Sequence, residues 1–356
     1  MSRFRRSLVA AVLGLALLPL VSCAPSTPHG KTKIVIWEQM DPQERLRFEA
    51  NLAAYKSIDS TVEIQHIPYE TEQLRTQFQT AAAAGGGPQL VFGPSDQVGP
   101  LSLLKVIRPL ETTLPAGFFD RFIASSLDTL DGHLYAAPDQ VGNHLVLCFN
   151  RKMVPTAPES AEDFLKDAKA NTHAAGDAAK NTYGFVMNLT EPYWLIPYLT
   201  GYGGWVMDAN HQPSLDSPAM VKALAYLKSL KDDDKVIPRE SDYQGAETLF
   251  KEGKAAMLVN GPWSWAGYRD AGIDLGVAPL PRVPGGDWAR PMVASKGYSI
   301  NVNVKDAELP AVIKLLTFLT SPEAELRDAK KLGILPSHRE AYASAELLAD
   351  PTMQQS

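Results

Sequence analysis

Cysteine is scarce: the 356-residue chain has two, Cys23 and Cys148. Two thiols exclude a disulfide scaffold and a thiolate-built structural zinc site. Positive charge is not in excess. The 34 Lys and Arg stand against 40 Asp and Glu, a formal net charge of −6, so nothing draws the chain generally to nucleic acid or anionic lipid. With 45% hydrophobic and 21% charged residues the composition is that of a globular protein, not of a multi-span membrane protein. Catalytic signatures are missing as well. There is no Gly-x-Ser-x-Gly elbow and no His-Glu-x-x-His, and the seven histidines are scattered without ligand spacing. The run at 85–88 lacks the Gly-Lys-Ser/Thr ending of a phosphate loop and reads as a helix stop. Asp232, Asp233 and Asp234 are adjacent in sequence, so their side chains do not converge on one ion. No metal and no cofactor are expected. Acidic residues do recur at strand ends, at Glu38, Asp41 and Asp96, which leaves a glycan-hydrolysing enzyme open.

The amino terminus is an address. Arg3, Arg5 and Arg6 precede an apolar run over 8–21 that Pro19 interrupts. It is short for a bilayer span, which needs roughly 20 residues, and reads as the apolar region of a secretory signal. It closes on Leu20-Val21-Ser22-Cys23, which resembles the bacterial lipobox; the alternative is a plain signal peptide with a chance Cys. The expectation is a signal peptide over 1–22, a lipid on Cys23, a flexible tether over 23–30, and a location in the cell envelope, anchored outside the cytoplasmic membrane. Cys148 lies in an apolar run at 145–149 and reads as a core residue, with a catalytic thiol as the alternative.

Strands alternate with helices through the rest of the chain. Strands are predicted over 33–37, 61–64 and 89–92, and helices over 43–56 and 71–84. The first of these helices has Leu46, Ala50 and Ala53 at helical spacing. This β-α-β-α-β order implies an α/β fold with a mostly parallel sheet, whose ligands sit beyond the carboxyl ends of the strands. A second region starts near Leu145. Ser217-Pro218 and Ser321-Pro322 open helices, Ser as N-cap and Pro at the first position, and 255–259 is a buried strand. The strand predicted at 299–302 is one that could return the chain to the first sheet.

Aromatic and polar residues supply the positive signal. Sugars present apolar C–H faces ringed by hydroxyls, and a site for them needs aromatic plates beside carboxylates and amides. Thr190-Glu191-Pro192-Tyr193-Trp194 and Asn260-Gly261-Pro262-Trp263-Ser264-Trp265 both offer that mixture. Trp194 and Trp265 fit core packing equally well; Trp263 follows a Gly-Pro turn from which its ring can project.

The run from Lys254 to Trp265 resembles the corresponding stretch of bacterial maltose- and maltodextrin-binding proteins, the solute-binding proteins of ABC sugar importers. So do 188–193 through Gly203-Gly204, 33–37, 132–138 and 149–152, and the resemblance extends over nearly all of 31–350. It implies two α/β lobes with a ligand cleft between them. The first lobe would take 31–141 and 297–339, the second 143–294 with 340–356, and the crossings would lie near Gly142 and Ser295-Lys296. Carried over by position, Asp41 and Asp96 accept hydroxyl hydrogen bonds from the first lobe. Glu191 and Tyr193 do so from the second, and Trp263 stacks on a sugar ring. Glu38, Arg75 and Asn143 stand near further matching positions. The implied partners are a carbohydrate and the membrane permease of an importer; the implied form is a monomer that binds without catalysis. The sequence departs from the family at Pro42, Gly93, Gln97 and Asn143. It also ends near the point where the family continues for several tens of residues, so a truncated reading of a longer gene is expected.

Overall fold

The computed structural model describes residues 30–349, apart from positions 176 and 211. The expected signal peptide, Cys23, most of the tether and residues 350–356 lie outside the described residues.

The first strand, β1 (Thr32–Glu38), alternates, with Ile34, Ile36 and Glu38 turned inward. Asp41 caps the helix that follows, α1 (Pro42–Ile58), with Pro42 in its first turn, and Glu44 accepts the Asp41 backbone N–H at 3.0 Å. Its buried face carries Phe48, Leu52 and Tyr55. The stripe of Leu46, Ala50 and Ala53 faces solvent instead. Both sets have helical spacing, and the face with two aromatic rings buries far more apolar surface. Next come β2 (Val62–Pro68), α2 (Thr71–Ala83) and β3 (Leu90–Pro94). A two-strand hairpin, β4 (Thr129–Leu130) with β5 (His133–Leu134), precedes β6 (Ala137–Asn143). The chain then builds β7 (Val146–Asn150), β8 (Tyr183–Val186), β9 (Ala255–Asn260) and β10 (Leu275–Ala278), before β11 (Ala294–Ile300) and β12 (Leu335–Pro336).

These strands form two larger sheets, ordered β12-β6-β11-β3-β1-β2 and β10-β7-β9-β8, and so two lobes. Pairing is parallel among β2, β1 and β3 and between β8 and β9. The expected mostly parallel pairing stops at β11, antiparallel to β3 and β6, and at β7, antiparallel to β9 and β10. The cause is the same in both lobes. β7 and β11 follow the two passages between the sheets, so each runs away from the cleft while its neighbours run toward it. Buried apolar clusters cover both faces of each sheet. The last described helix, Ala345–Leu348, sets Leu347 on Ala329 of helix Pro322–Leu332. Among the described residues no helix is long and apolar enough to cross a membrane.

Gly184 in β8 marks a close approach. A Cβ there would lie 1.8 Å from the carbonyl oxygen of Ala168, the backbone of helix Ala161–Ala170. Backbone cannot swing aside as a side chain can, so Gly184→Ala should lower stability by about 3 kcal/mol or more, at the upper end of overpacking costs. Denaturant melts check this; a wild-type midpoint would mean that helix and strand are not held in contact.

Candidate functional site

A cavity of about 280 Å³ lies between the lobes, where strands of both sheets end. The first lobe contributes Gln39 to Pro42 after β1, Tyr69 to Glu72 after β2, and Pro94, Asp96 and Gln97 after β3. Asn143 closes β6, and Lys296 stands near the start of β11. The second lobe adds Glu191 to Trp194 after β8, Tyr243 and Gln244 at the start of helix Tyr243–Lys251, and Trp263 after β9.

Six of the eight residues singled out in the sequence line this one cavity: Asp41, Asp96, Asn143, Glu191, Tyr193 and Trp263. Glu38 does not. The alternation of β1 turns it inward, where its carboxylate accepts the Met40 N–H at 2.7 Å and Arg45 Nε at 2.8 Å and meets His66 Nδ1 at 3.3 Å. It holds the turn that presents Asp41. Arg75 does not line the cavity either; it sits one turn into α2 and pairs with Glu72 on the same helix.

The aromatic residues divide by role. Trp265 is fully buried in the core beside Cys148, whose thiol burial pushes well up. Trp194 belongs to core and cleft at once. Its Nε1 donates to the Val259 carbonyl at 3.3 Å, its ring meets Tyr193 and Tyr243 edge-on, and its rim lines the cavity. Trp263 donates from Nε1 to the Tyr243 hydroxyl at 3.1 Å. Its ring lies over Gly261, where a Cβ would come within 2.0 Å of it. Tyr193 donates its hydroxyl to the Asn143 carbonyl at 3.0 Å. Tyr243 and Lys296 are cleft residues that the sequence reading missed. A signal for Tyr243 was present, since Asp242 caps its helix through the Gly245 N–H at 2.7 Å and so places an aromatic ring at a helix start.

Carboxylates crowd the cleft. Burial, then the charges of Glu247 and Glu44, raises Asp41 to about 7. Burial also raises Asp96 and Glu191, each with Glu72 as a repelling neighbour. For Asp41 the linkage has a definite sign. A carboxyl whose folded pKa lies above its unfolded value, about 3.9, contributes stability that is complete below about pH 4. That stability is lost as pH rises through about 7. Asp41→Asn removes this loss, so the melting temperature of the variant should gain on wild type between pH 4.5 and pH 8. A difference independent of pH would contradict the burial of this carboxyl.

Such a cleft offers acceptors from both sides and aromatic plates mostly from the second lobe, a chemistry suited to a neutral polyhydroxylated ligand. Among the described residues, no cluster of three or more His, Cys, Asp or Glu could hold a metal ion.

Comparison with known proteins agrees with this architecture. The chain is 27% identical over 332 residues to a maltotriose-binding protein of Pyrococcus abyssi, covering 91% of this chain and 70% of that protein. It is 27% identical to a galactooligosaccharide-binding protein of Bacillus subtilis, covering 82% of this chain and 71% of that one. In structure it is similar to the maltose/maltodextrin-binding domain of Bdellovibrio bacteriovorus bound to maltotriose, with a TM-score of 0.87, 38% identity, and coverage of 90% of this chain and 85% of that one. Residues 50–355 match the model of the bacterial extracellular solute-binding proteins, and the chain belongs to that family.

Proposed function

We propose that this chain captures a maltooligosaccharide in the cleft between its lobes and delivers it to the membrane permease of an ABC importer, as a monomer and without turnover. The convergence of Asp41, Asp96, Asn143, Glu191, Tyr193 and Trp263 on one cavity carries the reading. The lobes, 31–141 with 297–339 and 143–294, hinge near Gly142 and Ser295-Lys296 and close on the sugar, as in periplasmic binding proteins. Similarity to the maltotriose-bound Bdellovibrio domain favours an α-glucan. Pro42, Gln97 and Asn143, which line the cavity where the sequence departs from the maltose binders, set the sugar preference. Thermal melts with maltose, maltotriose, trehalose, sucrose and monosaccharides test this. At a hundredfold excess over Kd a ligand adds about 2.7 kcal/mol, so maltotriose should raise the midpoint clearly and monosaccharides should not. No shift with any sugar overturns the reading.

The rival enzyme reading has the cleft carboxyls Asp41, Asp96 and Glu191 behind it. A carboxyl near 7, as at Asp41, is what a general acid needs. Incubation with maltooligosaccharides should nevertheless leave their chain lengths unchanged; hydrolysis lost on Asp41→Asn would establish the enzyme. The proposal includes a lipid on Cys23, for which the lipobox-like sequence and the lipoprotein of Streptococcus pneumoniae, 28% identical over 97% of this chain, are the support. Cys23→Ala should release the protein into the soluble fraction.

A further inference from the structure

Sugar-binding clefts between lobes need their two walls placed relative to each other, and the Tyr243 side chain bonds carboxylate and aromatic groups of both. Tyr243, at the start of helix Tyr243–Lys251, sends its hydroxyl to three partners. It stands 3.3 Å from Asp41 Oδ2 in the first lobe, 3.2 Å from Ser264 Oγ, and 3.1 Å from Trp263 Nε1. Above its pKa of about 7 Asp41 is ionised and only accepts, and an indole N–H only donates. The phenol proton therefore goes to Asp41, the oxygen takes the Trp263 N–H, and Ser264 donates to the remaining lone pair. All hydrogen-bonding positions of that oxygen are then used.

We infer that Tyr243 is a positioning residue that ties the first-lobe acceptor Asp41 to the second-lobe plate Trp263 and so sets the spacing of the cleft. The inference rests on the reading of this cleft as a sugar site. Both ends of the tie are rigidly mounted. Asp41 is held at the head of α1 by Glu44. On the other side Asn260, at the end of β9, donates to Glu247 at 3.0 Å and accepts the Gly261 N–H at 2.8 Å. The helix that carries Tyr243 thus also holds the turn that carries Trp263. The Tyr243 ring is fixed edge-on to Trp194, with centroids 5.7 Å apart, so the hydroxyl has little freedom to follow a displaced partner.

Tyr243→Phe removes the hydroxyl and keeps the ring. Spin labels on the outer surfaces of the two lobes report the spacing with no sugar present. Tyr243→Phe should broaden the distance distribution, and Ser264→Ala, which leaves the tie intact, should not. Calorimetry with maltotriose should show a loss of about 5- to 20-fold for Tyr243→Phe. In an Asp41→Ala background the same change should cost less than twofold, because the tie is already gone. An unchanged distance distribution in Tyr243→Phe, or losses that multiply independently, overturns the inference. If the wild type binds no sugar at all, the sugar reading fails, while the label distances still decide whether the tie exists.

Discussion

Trp263→Ala is expected to weaken maltotriose binding at least tenfold and to leave the melting temperature of the protein without sugar within a few degrees of wild type. The ring is half-buried, lines the cavity, and is fixed by its Nε1 bond to Tyr243. A ring held against the apolar face of a sugar excludes water and gains dispersion over its whole area. Truncating such an anchor costs about 2 kcal/mol or more, which is roughly 30-fold in affinity. A Trp in a core would instead cost about 3–5 kcal/mol of folding stability. One variant therefore separates the two roles: a large fall in melting temperature with affinity preserved would make Trp263 a core residue. Gly261→Ala is a companion test. Its φ of −115° suits any residue, so its effect comes only from the methyl meeting the Trp263 ring, and it should weaken binding with the ring still present.

The second large effect lies at the crossing between the lobes. Lys296 and Glu44 are both buried, and Lys296 Nζ reaches both carboxylate oxygens of Glu44, at 2.8 and 3.0 Å. Gln140, on the neighbouring strand β6, donates to Glu44 at 3.1 Å, and Glu44 in turn accepts the Asp41 N–H. Lys296→Met strands a buried carboxylate, a loss of about 3–5 kcal/mol. At roughly 2–4 °C per kcal/mol for a protein of this size, the melting temperature should fall by about 6 °C or more. Lys296→Met with Glu44→Gln should recover most of it, because the double variant leaves no unpaired charge. If the single variant melts like wild type, water reaches Glu44 and the pair is not structural. If the double variant melts no higher than the single, packing rather than charge is what Lys296 supplies.

How much of this was legible in the sequence depends on the range of the interaction. Period-2 alternation located β2, and Ser-Pro starts located helices Pro218–Lys228 and Pro322–Leu332, because strand faces and N-caps are decided by neighbours in sequence. The buried face of α1 was not legible: spacing alone cannot rank two stripes, and the sheet chose Phe48, Leu52 and Tyr55. The directions of β7 and β11 follow from where the chain passes between lobes, which no local pattern records. In the cleft, Asp41, Asp96, Glu191 and Trp263 were found because each stands in a recognisable motif that the family resemblance places at the site. Glu38 has the same residue type and the same vicinity, yet one position of strand alternation puts it inside. Tyr243 and Lys296 act through partners more than 200 residues away, Asp41 and Glu44, and only the folded chain brings them together.

Calorimetric titration of the soluble chain with maltotriose, run on wild type and Trp263→Ala, tests the central claim most directly. The account predicts saturable one-to-one binding to wild type, at least tenfold weaker in the variant, with the sugar recovered uncut. A folded wild type that gives no binding heat with maltotriose or any other oligosaccharide, or that returns shortened chains, would contradict it.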